Sequence, residues 1–166
     1  DLRTTIAYRL GEQYGPFGHA DPTSFHTKYF NHGQWLQRLQ DESDRSSELF
    51  VEHFKTKYIE YPNLPIWVVT EIMSFGTLSI MFKNLLRDDQ KHIASRYGLQ
   101  GVVLAAWMHH LVYIRNICAH HARLWDRVWS IKPTLPHGKD WQPPALPGNN
   151  RLFLTCPPQP DPFPVS

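Results

Sequence analysis

The polar side chains that could do chemistry are concentrated in one short stretch of the chain, residues 113–127. Arg115 carries a guanidinium that keeps its charge at physiological pH and can bind two oxygens of a phosphate or carboxylate. Asn116 follows it directly, and His120 comes four residues after Asn116. Because an imidazole titrates near neutral pH, His120 can accept or donate a proton. The stretch therefore indicates an anion site with a proton-transfer group beside it.

A helix over residues 100–121 must position these groups. One apolar stripe along it comprises Leu104, Met108, Leu111, Val112 and Cys118. Arg115 falls near the middle of that stripe. Burying a guanidinium without an anionic partner would cost several kcal/mol, so we expect something negative opposite Arg115. The other side of the helix carries a polar row: His109, Tyr113, Asn116 and His120.

Arg115 and His120 are awkwardly placed for a single ligand on a straight helix. They are separated by about 140° around the axis and roughly 7.5 Å along it. Either the helix ends or distorts near Ala119, or a second copy of the motif contributes across a two-fold axis. We favour the second copy.

Three blocks of sequence resemble a known family. Arg115, Asn116, three residues and His120 match the Arg-x4-His signature of the HEPN superfamily of ribonucleases. The string RNICAHHARLWDR, with MSFGTLSIMFKNL at residues 73–85 and AYRLGEQYGPFGHADPTSF at residues 7–25, closely resembles the Abi-like family of bacterial abortive-infection proteins, of the AbiD/AbiF type. The spacing alone is a weak signal, but three blocks over residues 1–130 make a strong one.

The resemblance implies an all-α, HEPN-like helical bundle that forms a homodimer. It also implies a metal-independent endoribonuclease of a phage-defence (abortive infection) or toxin–antitoxin system, with RNA as substrate and an antitoxin RNA or protein as a possible partner. Cleavage of RNA by its own 2′-hydroxyl needs a base, an acid and positive charge on the developing phosphorane. The catalytic residues would be Arg115, which stabilises the phosphoryl charge, His120 as general base or acid, and Asn116, which orients the histidine or the scissile phosphate. Flanking phosphates would be held by His121, Arg123 and Arg127, although a solvated basic face explains these arginines almost as well.

Two other functions compete with this hypothesis. The same residues could grip RNA or a protein in a non-catalytic module, because folds often keep the shape of a site after losing its chemistry. A zinc site could use His109, His110, His120, His121 and Cys118. Adjacent histidines on a helix diverge by about 100°, however, and no zinc-type spacing is present. We therefore expect no metal and no cofactor.

Composition sets broad limits on the class of protein. A chain of 166 residues can bury one substantial core, and a net charge of +2 permits RNA binding without deciding it. The two cysteines do not make a disulfide framework, and Cys118 on the apolar stripe is expected to be a buried reduced thiol. No run of about eighteen apolar residues is present, and residues 1–10 carry charges where a signal peptide needs its apolar segment. These features favour a cytoplasmic protein that does not enter a membrane.

The rest of the chain supplies the scaffold. We expect a HEPN-like helical domain over residues 1–130, beginning with the end of a helix that stops at Gly15, and an irregular Pro-rich tail over residues 131–166, where ten of the fourteen prolines lie. Family members carry a further stretch before the first matched block, so Asp1 is expected to be a truncated start. The segment NNRLFLT at residues 149–155 resembles the opening of another family helix, which the prolines then cut off.

Several local expectations concern which side of each helix is buried. A helix capped by Ser46 or Ser47 should run to about Tyr58 with an inner face of Leu49, Phe50, His53, Phe54 and Tyr58. A helix starting at Pro65 should bury Trp67, Val68, Ile72 and Phe75, with Glu71 on the same face. Glu71 is a candidate partner for Arg115, and a structural ion pair or contact with solvent at the edge of that face explains it about as well. Gly76 should interrupt the chain, with Thr77 capping the next helix. Trp107 is assigned to the core, whereas Trp125 and Trp129 could be core residues or could stack on unpaired bases.

Overall fold

The computed structural model describes residues 1–26, 28–57, 63–137, 141 and 148–151. Within these residues the chain is all-α, as predicted, and has no strand. The helices are α1 (Leu2–Tyr14), α2 (His32–Arg45), α3 (Leu49–Lys57), α4 (Ile66–Ile72), α5 (Phe75–Asn84), α6 (Arg87–Ser95) and α7 (Gly101–Ala119). Two short 3-10 helices, Gly18–Ala20 and Pro22–Ser24, lie between α1 and α2.

The chain divides into two compact units, Asp1–Ala105 and Ala106–Ser166. In the first unit α1 packs on α4 and α6, and α2 packs on α4 and α5. The core of this bundle includes Ile6 and Leu10 from α1 and Phe82 from α5, all fully buried. The predicted domain boundary after residue 130 stays a prediction.

A buried carboxylate connects α1 to α6. Asp89 is 1 % exposed and accepts hydrogen bonds from Arg9 Nε at 2.7 Å and from the Tyr14 hydroxyl. Burial, followed by the hydrogen bond to Asp89, raises the pKa of Tyr14 to about 12. The charge of Asp89 is thus balanced by a paired guanidinium, which is the usual condition for burying an acid.

The predicted stop of α1 at Gly15 is correct. α1 stops at Gly15, whose φ of 75° lies in the left-handed region, and the turn after α6 ends at Gly98 with a φ of 65°. These stops are local, because glycine has no Cβ to oppose a positive φ. The start of α5 was predicted wrongly. The Ser74 hydroxyl accepts the Thr77 N–H at 3.1 Å and caps a helix that contains Gly76, so Ser74 takes the role assigned to Thr77.

The predicted inner face of α3 is wrong. Leu49 is 82 % exposed, Phe50 and His53 are exposed, and Val51 is the fully buried residue of this helix. Tyr58 lies outside the described residues. An apolar side chain on a short helix can face water, because the folded surface of a protein is itself largely apolar.

The predicted inner face of α4 is only partly correct, because Val68 is buried as predicted but Trp67, Ile72 and Phe75 are not. Trp67 is 53 % exposed and Glu71 is exposed, whereas Ile66, Val69 and Thr70 are buried. The helix is apolar on nearly every side, so its period does not single out one face. Packing against α1 decides it: Ile66 Cγ2 lies 3.6 Å from where a Cβ on Gly11 would be. The pairing of Glu71 with Arg115 was expected because both charges were predicted to be buried. Since Glu71 is exposed to water, its charge needs no such partner.

One described helix, α7, is long and apolar enough to cross a membrane as judged by length and composition alone. The core helix of a soluble protein passes the same test. Of the predicted continuation at residues 149–155, residues 149–151 are not helical, and the remainder lies outside the described residues together with Cys156.

Acid should destabilise the chain through His19. This histidine is 4 % exposed, and burial, helped by the neighbouring charge of His32, lowers its pKa from 6.5 to about 4. The folded state therefore binds fewer protons than the unfolded chain between these values. The free energy of unfolding should be fully retained above about pH 6.5 and fall by roughly 3 kcal/mol as the pH drops to 4.

Chemical denaturation at a series of pH values checks the His19 prediction. His19→Gln should remove most of this part of the pH dependence, whereas His26→Gln, at an exposed position, should leave it unchanged. An unchanged slope in the His19 variant would show that the acid sensitivity arises elsewhere.

Candidate active site at the end of α7

The end of α7 is built by a Schellman motif. The His121 N–H donates to the Cys118 carbonyl at 3.0 Å, and the Ala122 N–H donates to the Ile117 carbonyl at 3.1 Å. His121 has a φ of 53°, the left-handed conformation that this motif requires and that glycine usually supplies. Ala122 packs against the apolar cluster that contains Ile117, as is common in this motif. The helix therefore ends at Ala119, which is the first of the two alternatives drawn from the sequence.

Asn116 is linked to both of the other predicted catalytic residues. Its side-chain oxygen accepts a hydrogen bond from Arg115 Nη1 at 3.3 Å, and its backbone carbonyl accepts the His120 N–H at 3.1 Å. His120 is the last residue held by the backbone ladder of the helix.

All six predicted site residues are exposed to solvent: Arg115, Asn116, His120, His121, Arg123 and Arg127. They lie on the last two turns of α7 and the eight residues that follow. Each is therefore accessible to a ligand as large as a nucleic acid strand.

The predicted burial of Arg115 is wrong. The buried positions on this part of α7 are His110, Ile114 and Ile117, which follow helical spacing, whereas Leu111, Arg115 and Cys118 are exposed. Cys118 is thus an exposed free thiol rather than a core residue. Two members of the predicted stripe, Leu104 and Met108, are buried as predicted. Toward the end of α7 the helix is apolar around much of its circumference, so the periodicity of its sequence did not identify the buried face there. Arg115 needs no buried anion and can meet a ligand from solution.

The segment after the turn runs back along α7 and covers the face of the helix that is buried. Ser130 donates its N–H to the Tyr113 hydroxyl at 3.4 Å, and His110 Nδ1 donates to the Ile131 carbonyl at 2.7 Å. Further along, Trp107 Nε1 donates to the Thr134 carbonyl at 3.0 Å. As residue numbers rise on the segment they fall on the helix, so the two run antiparallel.

Trp129 fills the space between this returning segment and the helix. It is 1 % exposed and forms an apolar cluster with Ile114 and Ile117. Its indole also lies edge-on to the rings of His110 and Tyr113, with centroids 5.8 and 6.1 Å away. Trp129 is therefore a core residue, whereas Trp125 is 84 % exposed and Trp107 is partly buried.

The contacts of the Tyr113 hydroxyl beside the site were not predicted from the sequence. Hydrogen bonds from Ser130 hold the pKa of the Tyr113 phenol below its ordinary value, and the Arg127 guanidinium acts in the same direction. Arg127 thus lies close to the Tyr113 hydroxyl. The position of Tyr113 in the polar row was a signal for this, but its partners come from a segment with no regular period.

Local charge was a second missed signal. Residues 106–137 contain Arg115, Arg123, Arg127 and Lys132, and one acidic residue, Asp126. The small net charge of the whole chain conceals this excess, because the acidic residues are concentrated before residue 90. A local surplus of cations is the electrostatic feature expected where a polyanion binds.

In the described part of the chain, no three His, Cys, Asp or Glu side chains come together in a way that could hold a metal ion. The five residues that could have formed a zinc site do not share one face of α7. His110 is buried and bonded to Ile131, whereas His109, Cys118, His120 and His121 are exposed.

Replacing His121 by Gly should stabilise the chain. A residue other than glycine in the left-handed region costs roughly 1–2 kcal/mol, part of which is offset because glycine gains more freedom in the unfolded state. His121→Gly should therefore raise the free energy of unfolding by up to about 1 kcal/mol in chemical denaturation. His109→Gly is the matched control, because it removes an exposed histidine inside α7 and should destabilise. A loss of stability in the His121 variant would mean that the side chain, rather than the backbone, holds the turn.

Comparison with known proteins agrees with the sequence blocks. The family model described as Abi-like protein matches residues 1–126, a span that includes Arg115, Asn116, His120 and Arg123 but not Arg127. No curated protein and no solved structure matches the chain. Because the family match covers well over half of the 166 residues, the chain belongs to the Abi-like protein family, and its function is related to abortive infection.

Proposed function

We propose that the chain is a metal-independent endoribonuclease of the HEPN superfamily, acting in a phage-defence or toxin–antitoxin system. The observation that carries the proposal is the set Arg115, Asn116 and His120. These residues match the Arg-x4-His signature, lie in the family-matched part of the chain, and are exposed together at the end of one helix. The local excess of cations supports a polyanionic substrate. A cytoplasmic site of action fits this substrate and the free thiol of Cys118.

The reaction uses the 2′-hydroxyl of the RNA as nucleophile. Its oxygen attacks the adjacent phosphorus while the bond from phosphorus to the 5′-oxygen breaks, giving a 2′,3′-cyclic phosphate and a 5′-hydroxyl. One imidazole accepts the proton of the 2′-hydroxyl, and an acid gives a proton to the departing 5′-oxygen. The Arg115 guanidinium donates to the non-bridging oxygens, where negative charge increases in the transition state.

Asn116 acts here as a positioning residue for Arg115. Its side-chain oxygen accepts a hydrogen bond from the guanidinium at 3.3 Å, which limits the directions that this long side chain can take. Its backbone carbonyl holds the N–H of His120. Asn116 thus supports the phosphate-binding group through its side chain and the proton-transfer group through its backbone.

A homodimer completes the proposal. One chain offers one His120, whereas the reaction needs both a base and an acid, and a second copy of His120 across a two-fold axis would supply the other group. The mass of the protein in solution, measured by light scattering, tests the dimer directly. An antitoxin RNA or protein that covers this basic surface would restrain the enzyme.

Incubation of the protein with end-labelled RNA in EDTA tests the proposal. Cleavage should persist, because no metal takes part, and a DNA strand of the same sequence should stay intact because it has no 2′-hydroxyl. RNA that is bound but uncut would identify the chain as a binding module instead.

A further inference from the structure

The residues that follow the helix end form a tight turn whose first residue packs against the apolar core. The Arg127 N–H donates to the Leu124 carbonyl at 3.2 Å, which closes a four-residue turn. Asp126, at the third position, has a φ of 55°, and a positive φ at this position is typical of a type II turn. Leu124 packs against the cluster of Ile114, Ile117 and Trp129. The turn is thus anchored to the same core that positions the end of α7.

The second residue of this turn is Trp125, whose side chain is 84 % exposed. The other five tryptophans are all less exposed, and Trp67 comes next at 53 %. An indole is a large apolar surface that proteins usually bury to a high degree. Held on an anchored turn and facing water, it has the features of a binding group.

The charges around Trp125 favour an anionic partner. Arg123 and Arg127 flank it and are exposed. The one acid of the turn, Asp126, is ion-paired with Arg151, which offsets its negative charge. An exposed aromatic ring with an arginine two residues before it and another two residues after it in the chain suits a nucleotide, because the base can stack on the indole while the phosphates meet the guanidinium groups.

We propose that Trp125 stacks on an unpaired base and that single-stranded RNA is the substrate class of this site. This inference rests on the nuclease function proposed above. In a duplex the faces of the bases are covered by their neighbours, so an indole on a surface turn can reach only unpaired nucleotides. A second copy of this chain fits the Trp125 turn itself less well, because a two-fold contact centred on that turn would bring Arg123 and Arg127 of both copies together.

Binding measured on the 166-residue chain carrying His120→Ala tests the proposal, since the RNA should then survive the measurement. Trp125→Ala should weaken binding of a single-stranded oligonucleotide by about 5- to 150-fold, the equivalent of roughly 1–3 kcal/mol of stacking. Binding of a hairpin with the same base composition should change by less than about twofold. Trp125→Phe should keep most of the affinity, because phenylalanine also stacks. Trp67→Ala, which removes another exposed tryptophan, should have no effect.

Three outcomes would overturn the stacking proposal. The first is an unchanged affinity of Trp125→Ala for the single strand, and the second is an equal loss of affinity for the single strand and the hairpin. The third is a loss of affinity accompanied by a smaller mass in light scattering, which would assign Trp125 to a contact between copies. A parallel cleavage assay with His120 intact separates this proposal from the nuclease. If the wild-type chain cuts no RNA, the nuclease function fails and a stacking preference in binding still stands. If cleavage occurs but Trp125→Ala binds as wild type, only the stacking fails.

Discussion

Replacing either Arg115 or His120 by Ala is expected to lower the rate of RNA cleavage by at least about a hundredfold. General acid–base catalysis by one positioned side chain typically contributes about 10²- to 10⁴-fold, and loss of one group that stabilises transition-state charge costs a similar factor. Both side chains are exposed, so their removal leaves no cavity, and the free energy of unfolding should change by less than about 0.5 kcal/mol. Initial rates on labelled RNA, with denaturation curves on the same samples, check both parts.

The chain offers matched controls for these two variants. Arg38 on α2 and His92 on α6 are exposed, and Ala at either position should leave cleavage unchanged. Arg115→Lys keeps the charge but loses the planar fork that binds two oxygens, so its rate should fall between wild type and Ala. The double Ala variant should cleave RNA only slightly more slowly than the slower of the two single variants. The effects of removing two groups that act on one transition state are not additive. A fully active Arg115→Ala or His120→Ala protein would remove that residue from the catalytic assignment.

Replacing Trp129 by Ala is expected to lower the free energy of unfolding by roughly 3–5 kcal/mol, the usual cost of truncating a fully buried large aromatic side chain. Trp129 is 1 % exposed, packs on Ile114 and Ile117, and its backbone N–H donates to the Asn150 carbonyl at 2.8 Å. Its loss would leave a cavity between α7 and the returning segment. Chemical denaturation followed by circular dichroism measures the effect.

Trp125→Ala is the matched control for Trp129, because it removes the same side chain from an exposed position in the same unit. It should change the free energy of unfolding by no more than about 0.5 kcal/mol. Cleavage should also fall in the Trp129 variant, since the end of α7 and the turn at Leu124 rest on this cluster. Equal stabilities for the two tryptophan variants would contradict the packing described for the returning segment.

Those helix ends of this chain that glycine or proline sets are readable in the sequence, because they depend on local chemistry. Gly15 and Gly98 supply positive φ angles, and Pro65 precedes the first turn of α4. The buried faces are not readable in the same way. α3, α4 and α7 carry apolar residues on several sides, so the face that meets the core depends on contacts from distant parts of the chain.

In the candidate site, too, the local features could be predicted from the sequence and the tertiary contacts could not. Arg115, Asn116 and His120 were predicted from residue type, spacing and the family resemblance, and the helix end at Ala119 was one of two alternatives that the geometry allowed. Their exposure could not be predicted, because it depends on where residues 129–134 return along α7. That segment has no helical or strand period, and its hydrogen bonds from His110 and to Tyr113 join positions about 20 residues apart. Tertiary contacts of this kind leave no periodic signal in the sequence.

The chemical identity of the new RNA ends tests the central claim most directly. Mass spectrometry of the fragments formed in EDTA should find 2′,3′-cyclic phosphate on one side of each cut and 5′-hydroxyl on the other. The protein carrying both Arg115→Ala and His120→Ala should produce neither end. Fragments with 5′-phosphate ends, or the same cyclic ends from the double variant, would contradict a 2′-hydroxyl attack assisted by Arg115 and His120.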